Sequence, residues 1–170
     1  MREAEMMDDP ATADPLASPV PALTATAGAD MAPRLFGLRE PTARLLSAER
    51  DLNLLVTSLE GAQFVMKVAN AAEKPEATGF QTAALRHVET VAPELPVPRI
   101  VRTVDGATEA RVELDDGRAH TVRLLSFLHG RPLDAAPRSP AQRRNLAGCL
   151  ARLDLALEGY RPAFRLEDLS

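Results

Sequence analysis

At 170 residues, with 45% hydrophobic and 26% charged side chains, the chain has the length and composition for one domain with a real core. Lys and Arg number 20 against 24 Asp and Glu, and the resulting net charge of −4 excludes a general attraction to nucleic acid or to an anionic membrane. The single cysteine, Cys149, excludes an intramolecular disulfide and a thiolate zinc cluster, and it fits a reducing, cytoplasmic compartment.

Residues 1–32 are rich in Ala, Pro, Thr and Asp and poor in large apolar side chains, which predicts a disordered tail. Its start, "MREAEMMDDP", is acidic where an export signal is basic. No apolar run in the chain approaches the roughly 20 residues of a membrane span. From Leu35 the pattern changes. A first strand is expected near Ala43–Leu46, then "LNLLVT" (52–57) and "AQFVMKV" (62–68) as a hairpin closed by "SLEG", where Gly61 is free to take positive φ. Residues 75–91 read as a helix, because Phe80, Ala84, Val88 and Val91 recur at helical spacing and Pro75 suits its first turn. "PELPVP" ends it.

Two further strands are expected at 98–104 and 118–127, with "ATEARVELD" as a candidate for another and Asp–Gly turns at 105–106 and 116–117. A long helix follows "LHGRPL": Ser139 is its N-cap, Pro140 its first residue and Gln142 part of a capping box. Leu146, Cys149, Leu150, Leu153 and Leu157 make one apolar stripe on it, Gly159 is its stop, and Tyr160 and Phe164 are expected to pack below it. The fold class is therefore α+β: an antiparallel five-stranded sheet with one helix, then a linker and one long helix.

Lys67 has two readings. By strand alternation it shares a face with Val65, while Phe64, Met66 and Val68 share the other, so it is either a solvated lysine or a cation placed on a strand for a ligand. The second reading asks for accompanying parts. Val65 is a roof for adenine, helix 75–91 a positioning helix, and "LLSFLHG" (124–130) a strand ending in a hinge whose Ser126 and Leu128 main chain meets the adenine edge. The three histidines lack metal-ligand spacing, Asp115–Asp116 reads as a hairpin turn, His129 as a turn residue and Cys149 as a buried inert thiol. "QRR" (142–144) and Arg152 read as a solvated helix face.

In combination, "LLSAERDLNLLV", "GAQFVMKVAN", "FQTAALRHV", "LPVPRIV" and "VRLLSFLHGRPL" resemble the amino-terminal lobe of the aminoglycoside phosphotransferase and choline kinase superfamily, nearest to its hydroxylysine kinase-like branch. The resemblance implies a kinase-like lobe over 33–128, then a hinge, linker and start of a second lobe over 129–170. It implies an ATP site in which Ser47–Asn53, with Ser47, Arg50 and Asn53, replaces a glycine-rich loop, Lys67 holds phosphates, and Ser126–Leu128 is the hinge. Where many members carry a helix glutamate as the partner of the lysine, this chain has Gln81, with Glu73 or Glu76 as possible substitutes. The family's His-x-Asp…Asn loop and metal-binding Asp have no counterpart here, since His120 is followed by Thr-Val and His129 by Gly-Arg. The expectation is thus the ATP-binding part of a small-molecule phosphotransferase, acting on an alcohol group of an amino compound, with no catalytic residue or metal ligand of its own, Mg²⁺ being held by an absent lobe. The alternative is a non-catalytic interaction module that self-associates or docks another chain through its lower face, hinge and last helix.

Overall fold

The structure, a computed structural model, describes residues 19–133 and 135–161; the first part of the expected tail, Asp134 and the segment with Phe164 lie outside them. Helix α1 (Ala25–Phe36) is followed by strands β1 (Thr42–Leu46), β2 (Leu52–Thr57) and β3 (Gln63–Val68), helix α2 (Pro75–Val91), strands β4 (Ile100–Val101), β5 (Ala110–Glu113) and β6 (Ala119–Ser126), and helix α3 (Pro140–Leu157). The strands form one antiparallel sheet in the order β1-β2-β3-β6-β4, with β5 also on β6. The α+β class holds, with six strands in place of five.

Three corrections have physical causes. Helix α1 starts inside the stretch expected to be tail. The Thr24 hydroxyl caps it by accepting from Ala27 N–H at 3.1 Å, and Gly37 ends it at φ 67°, donating to the Pro33 carbonyl. Met31, Ala32 and Phe36 are buried on the sheet, and Gly28 lies so close that a Cβ there would stand 2.4 Å from Leu54 Cδ1. Small residues build little core by themselves, but Gly28 and Ala32 are what let this helix approach. The strand expected over 98–104 shortens to Ile100–Val101, because Pro98 has no N–H and Thr103 turns the chain away, its N–H and hydroxyl both bonding the Ala107 carbonyl. The stripe on α3 is not buried: Leu146 and Leu150 are exposed and Cys149 is half-buried. The α3 cap is as expected, Ser139 Oγ accepting from Gln142 N–H at 3.1 Å.

The sheet has two unlike faces. Leu54, Val56, Met66, Val68, Val122 and Leu124 point to α1 and make the core. The register puts the alternate residues in two rows on the opposite face, one apolar (Leu55, Val65, Leu125) and one polar (Asn53, Lys67, Arg123).

Candidate functional site

The polar row supplies the site's floor. Lys67, 32% exposed, lies under the loop between β1 and β2, where its Nζ stands 3.5 Å from Asp51 Oδ2. The other oxygen of Asp51 accepts from the Asn70 main chain at 3.3 Å, and Arg50 stands 3.8 Å from Glu73. One ion pair therefore ties the loop to β3, and a second ion pair with one hydrogen bond ties it to the segment joining β3 and α2. Both ion pairs are longer than a hydrogen bond, so each cation retains donor capacity.

Ser47, Ala48, Glu49, Arg50, Asp51, Asn53, Lys67, Glu73 and Gln81 line one cavity of about 410 Å³. Five of the eight expected site residues, Ser47, Arg50, Asn53, Lys67 and Gln81, thus meet around one space. Lys67 and Gln81 also border a second cavity of about 410 Å³, whose walls are largely apolar: Phe80, Ala84, Leu85 and Val88 of α2, Leu125 of β6, and Leu153 and Leu157 of α3. Tyr160 packs beside Phe80, one of that cavity's lining residues. Its ring lies 5.6 Å from that of Phe80 and 5.3 Å from that of His87, its hydroxyl donates to the Phe80 carbonyl, and His87 Nε2 meets the Ala156 carbonyl at 2.9 Å.

The remaining three, Val65, Ser126 and Leu128, line neither cavity. Val65 is the next same-face residue along β3 from Lys67, opposite Leu125. Ser126 ends β6. Its N–H already donates to the Arg99 carbonyl at 2.9 Å and its hydroxyl accepts from Arg99 N–H, so that N–H is not free for an adenine edge. Among the described residues, the Leu128 main chain makes no hydrogen bond.

The expected partner of Lys67 on the helix is also corrected. Gln81 Oε1 accepts from Arg123 Nη2 at 2.9 Å, and the carboxylate beside Lys67 comes from the loop, as Asp51. The reason lies in the register, which places Arg123 directly across from Lys67. Burial lowers the pKa of the Arg123 guanidinium, while Glu109, Asp51 and Glu73 raise it. Asp51 and Arg123 were thus missed in the sequence reading. A basic residue inside the apolar run "VRLLSF" was the available signal for the second; the first stood inside the quoted phrase.

A nucleotide's phosphates fit this chemistry, since Lys67 and Arg50 hold spare donors beside one cavity. The amide oxygen of Asn53 is buried there with no donor among the described residues, and the same amide turned over presents N–H to an anion. Among the described residues, no three or more His, Cys, Asp or Glu side chains are grouped to hold a divalent metal. Asp116, half of the Asp115–Asp116 pair, sits in the β5–β6 turn and contacts His120 at 3.1 Å and Arg118 at 3.3 Å. No described helix is long and apolar enough to cross a membrane.

Known proteins are similar to this chain in sequence and in fold. The hydroxylysine kinase of Danio rerio is 29% identical over 133 residues, covering 75% of this chain and 37% of that protein. The hydroxylysine kinase of Mus musculus is 25% identical over 156 residues, covering 85% and 41%. Among solved structures, the amicoumacin kinase hAmiN in complex with AMP-PNP, Ca²⁺ and Ami superposes with a TM-score of 0.65 at 14% identity over 79% of this chain and 40% of that one. A microcompartment-associated aminopropanol kinase superposes with a TM-score of 0.64 at 20% identity, over 81% and 42%. The chain spans about two fifths of the length of these relatives. The profile of the phosphotransferase enzyme family, APH, matches residues 42–169, three quarters of the chain, and the chain belongs to that family.

Proposed function

We propose that this chain is the nucleotide-holding part of an ATP-dependent small-molecule phosphotransferase whose acceptor is the hydroxyl of an amino compound. The observation that carries the reading is the position of Lys67, whose side chain borders both the polar cavity beneath loop 47–53 and the apolar cavity against α2. When bound, ATP supplies a transferable γ-phosphoryl group. Lys67 neutralises phosphate charge from the floor and Arg50 from the loop, with Ser47 and Asn53 adding neutral hydrogen bonds and Gln81 facing the same space. Val65, beside Leu125, covers the adenine face. The Ser126 carbonyl and the Leu128 N–H serve its edge, a hinge that dispenses with the Ser126 N–H.

The acceptor class rests on the relatives, since hydroxylysine and aminopropanol both carry a hydroxyl and an amine. A proton acceptor for that hydroxyl and ligands for Mg²⁺ would come from residues outside this sequence. The test is calorimetric titration of the 170-residue chain with Mg-ATP. Lys67→Ala is expected to weaken binding by roughly 10- to 100-fold, as for the loss of a charge-assisted contact. Equal affinity in both proteins removes the role given to Lys67.

One observation favours a second reading, an interaction module without catalysis: α3 has no buried residue, and Leu146, Leu150 and Leu155 are exposed on it. Light scattering that shows a stable dimer, together with no binding of Mg-ATP, selects this reading over the first.

A further inference from the structure

Arg123 is unusual in this molecule. It is only 2% exposed, yet it stands in the middle of the sheet directly opposite Lys67. Its guanidinium spans three positions on one face of α2, with Nη2 donating to Gln81 Oε1 at 2.9 Å and Nη1 to the Thr78 carbonyl at 3.2 Å and to Thr82 Oγ1 at 3.3 Å. Residues 78, 81 and 82 follow the i, i+3, i+4 spacing that faces one side of a helix. Its Nε is buried with no partner among the described residues, as is Glu109 Oε2, which lies just before the β5 residue paired with Val122. Burying a guanidinium is costly, and here the bonds it makes all go to α2.

We infer that Arg123 is the positioning residue of the nucleotide site: its fork fixes α2 against the sheet, so that Lys67 makes no bond to the helix and pairs with the loop carboxylate of Asp51. The inference rests on the nucleotide-binding reading above and assigns within it the residue that sets where Lys67 and the wall of the cavity stand. A lysine in a flat sheet can swing; one flanked by a locked arginine on one side and Asp51 above has a restricted arc. Arg123 borders the apolar cavity together with Lys67 and Gln81 but does not line the polar one, so it reaches the phosphate space through those two residues.

The test uses the 170-residue chain and Mg-ATP, with melting temperature recorded for every variant. Wild type against Lys67→Ala comes first; no binding by wild type, or equal binding by both, sinks the nucleotide reading and this inference with it. Given a Lys67-dependent affinity, Arg123→Met is expected to weaken binding roughly tenfold, and Arg123→Lys to do nearly the same, since an ammonium lacks the fork that reaches three acceptors. Adding Gln81→Glu to Arg123→Met is expected to restore affinity to within roughly threefold of wild type, because a helix carboxylate then pairs with Lys67 and positions it anew. A purely structural arginine predicts no such rescue. Wild-type affinity in Arg123→Met, or failure of the added glutamate to restore any of the loss, overturns the inference. Should Arg123→Met melt below the assay temperature, Thr82→Val removes one acceptor and keeps the guanidinium; a roughly threefold loss supports the inference and unchanged affinity overturns it.

Discussion

Asp51 makes two separable contacts, one through charge and one through shape. Oδ2 faces Lys67 Nζ, and Oδ1 accepts from the Asn70 N–H. In Asp51→Asn, an amide oxygen keeps the second contact while the charge opposing an incoming phosphate is lost. The expected outcome is an affinity for Mg-ATP several-fold higher than wild type, measured by calorimetry, with the loop still in place. Asp116 supports a pH prediction. Its carboxyl is held below its ordinary value of 3.8, first by the Arg118 N–H and then by the His120 contact and the charges of His120 and Arg118, against the opposing effect of burial. A lowered carboxylate pKa means stability that is fully present above the unfolded value and is lost as pH falls through the folded one. Thermal unfolding followed from pH 6 downward is therefore expected to show a fall in Tm below about pH 4, and Asp116→Asn to flatten that fall.

At the scale of elements, α1 and the sheet approach through a glycine. A Cβ on Gly28 would stand 2.4 Å from Leu54 Cδ1, and Leu54 is wholly buried, so the added methyl has to displace core side chains. Gly28→Ala is expected to destabilise the fold by about 1–3 kcal/mol despite alanine's better helix propensity, and Leu54→Val in that background to recover part of the loss, measured by urea unfolding. Helix α2 was legible to the residue, because a proline at its start, a proline-rich stop and apolar residues at helical spacing are all local signals. Helix α1 carried a comparable pattern at 28, 31, 32 and 36, but two of those four residues are Gly and Ala, which count for little until a partner surface is known.

For the whole molecule, stability is unevenly spread. The sheet and α1 share the buried core, whereas α3 has no buried residue and is held to α2 through Tyr160, His87 and the Leu153 and Leu157 side chains. Amide exchange is expected to be faster throughout α3 than in β2, β3 or β6, and Tyr160→Ala to speed it in α3 with little effect on the sheet; equal protection of α3 and β3 in the wild type contradicts this.

The strand alternation placed Val65 and Lys67 on one face, the "SLEG" and "DDG" turns set the hairpins, and Ser139 marked the start of α3, because each depends on neighbours within a few residues. The family could be read from the order of short phrases for the same reason. Which carboxylate meets Lys67, which cation takes Gln81, and how α1 covers the sheet were decided only by the tertiary structure. Those contacts join residues 16, 42 and 26 positions apart, and they depend on which strands lie side by side and how closely a helix can approach, which no local pattern encodes.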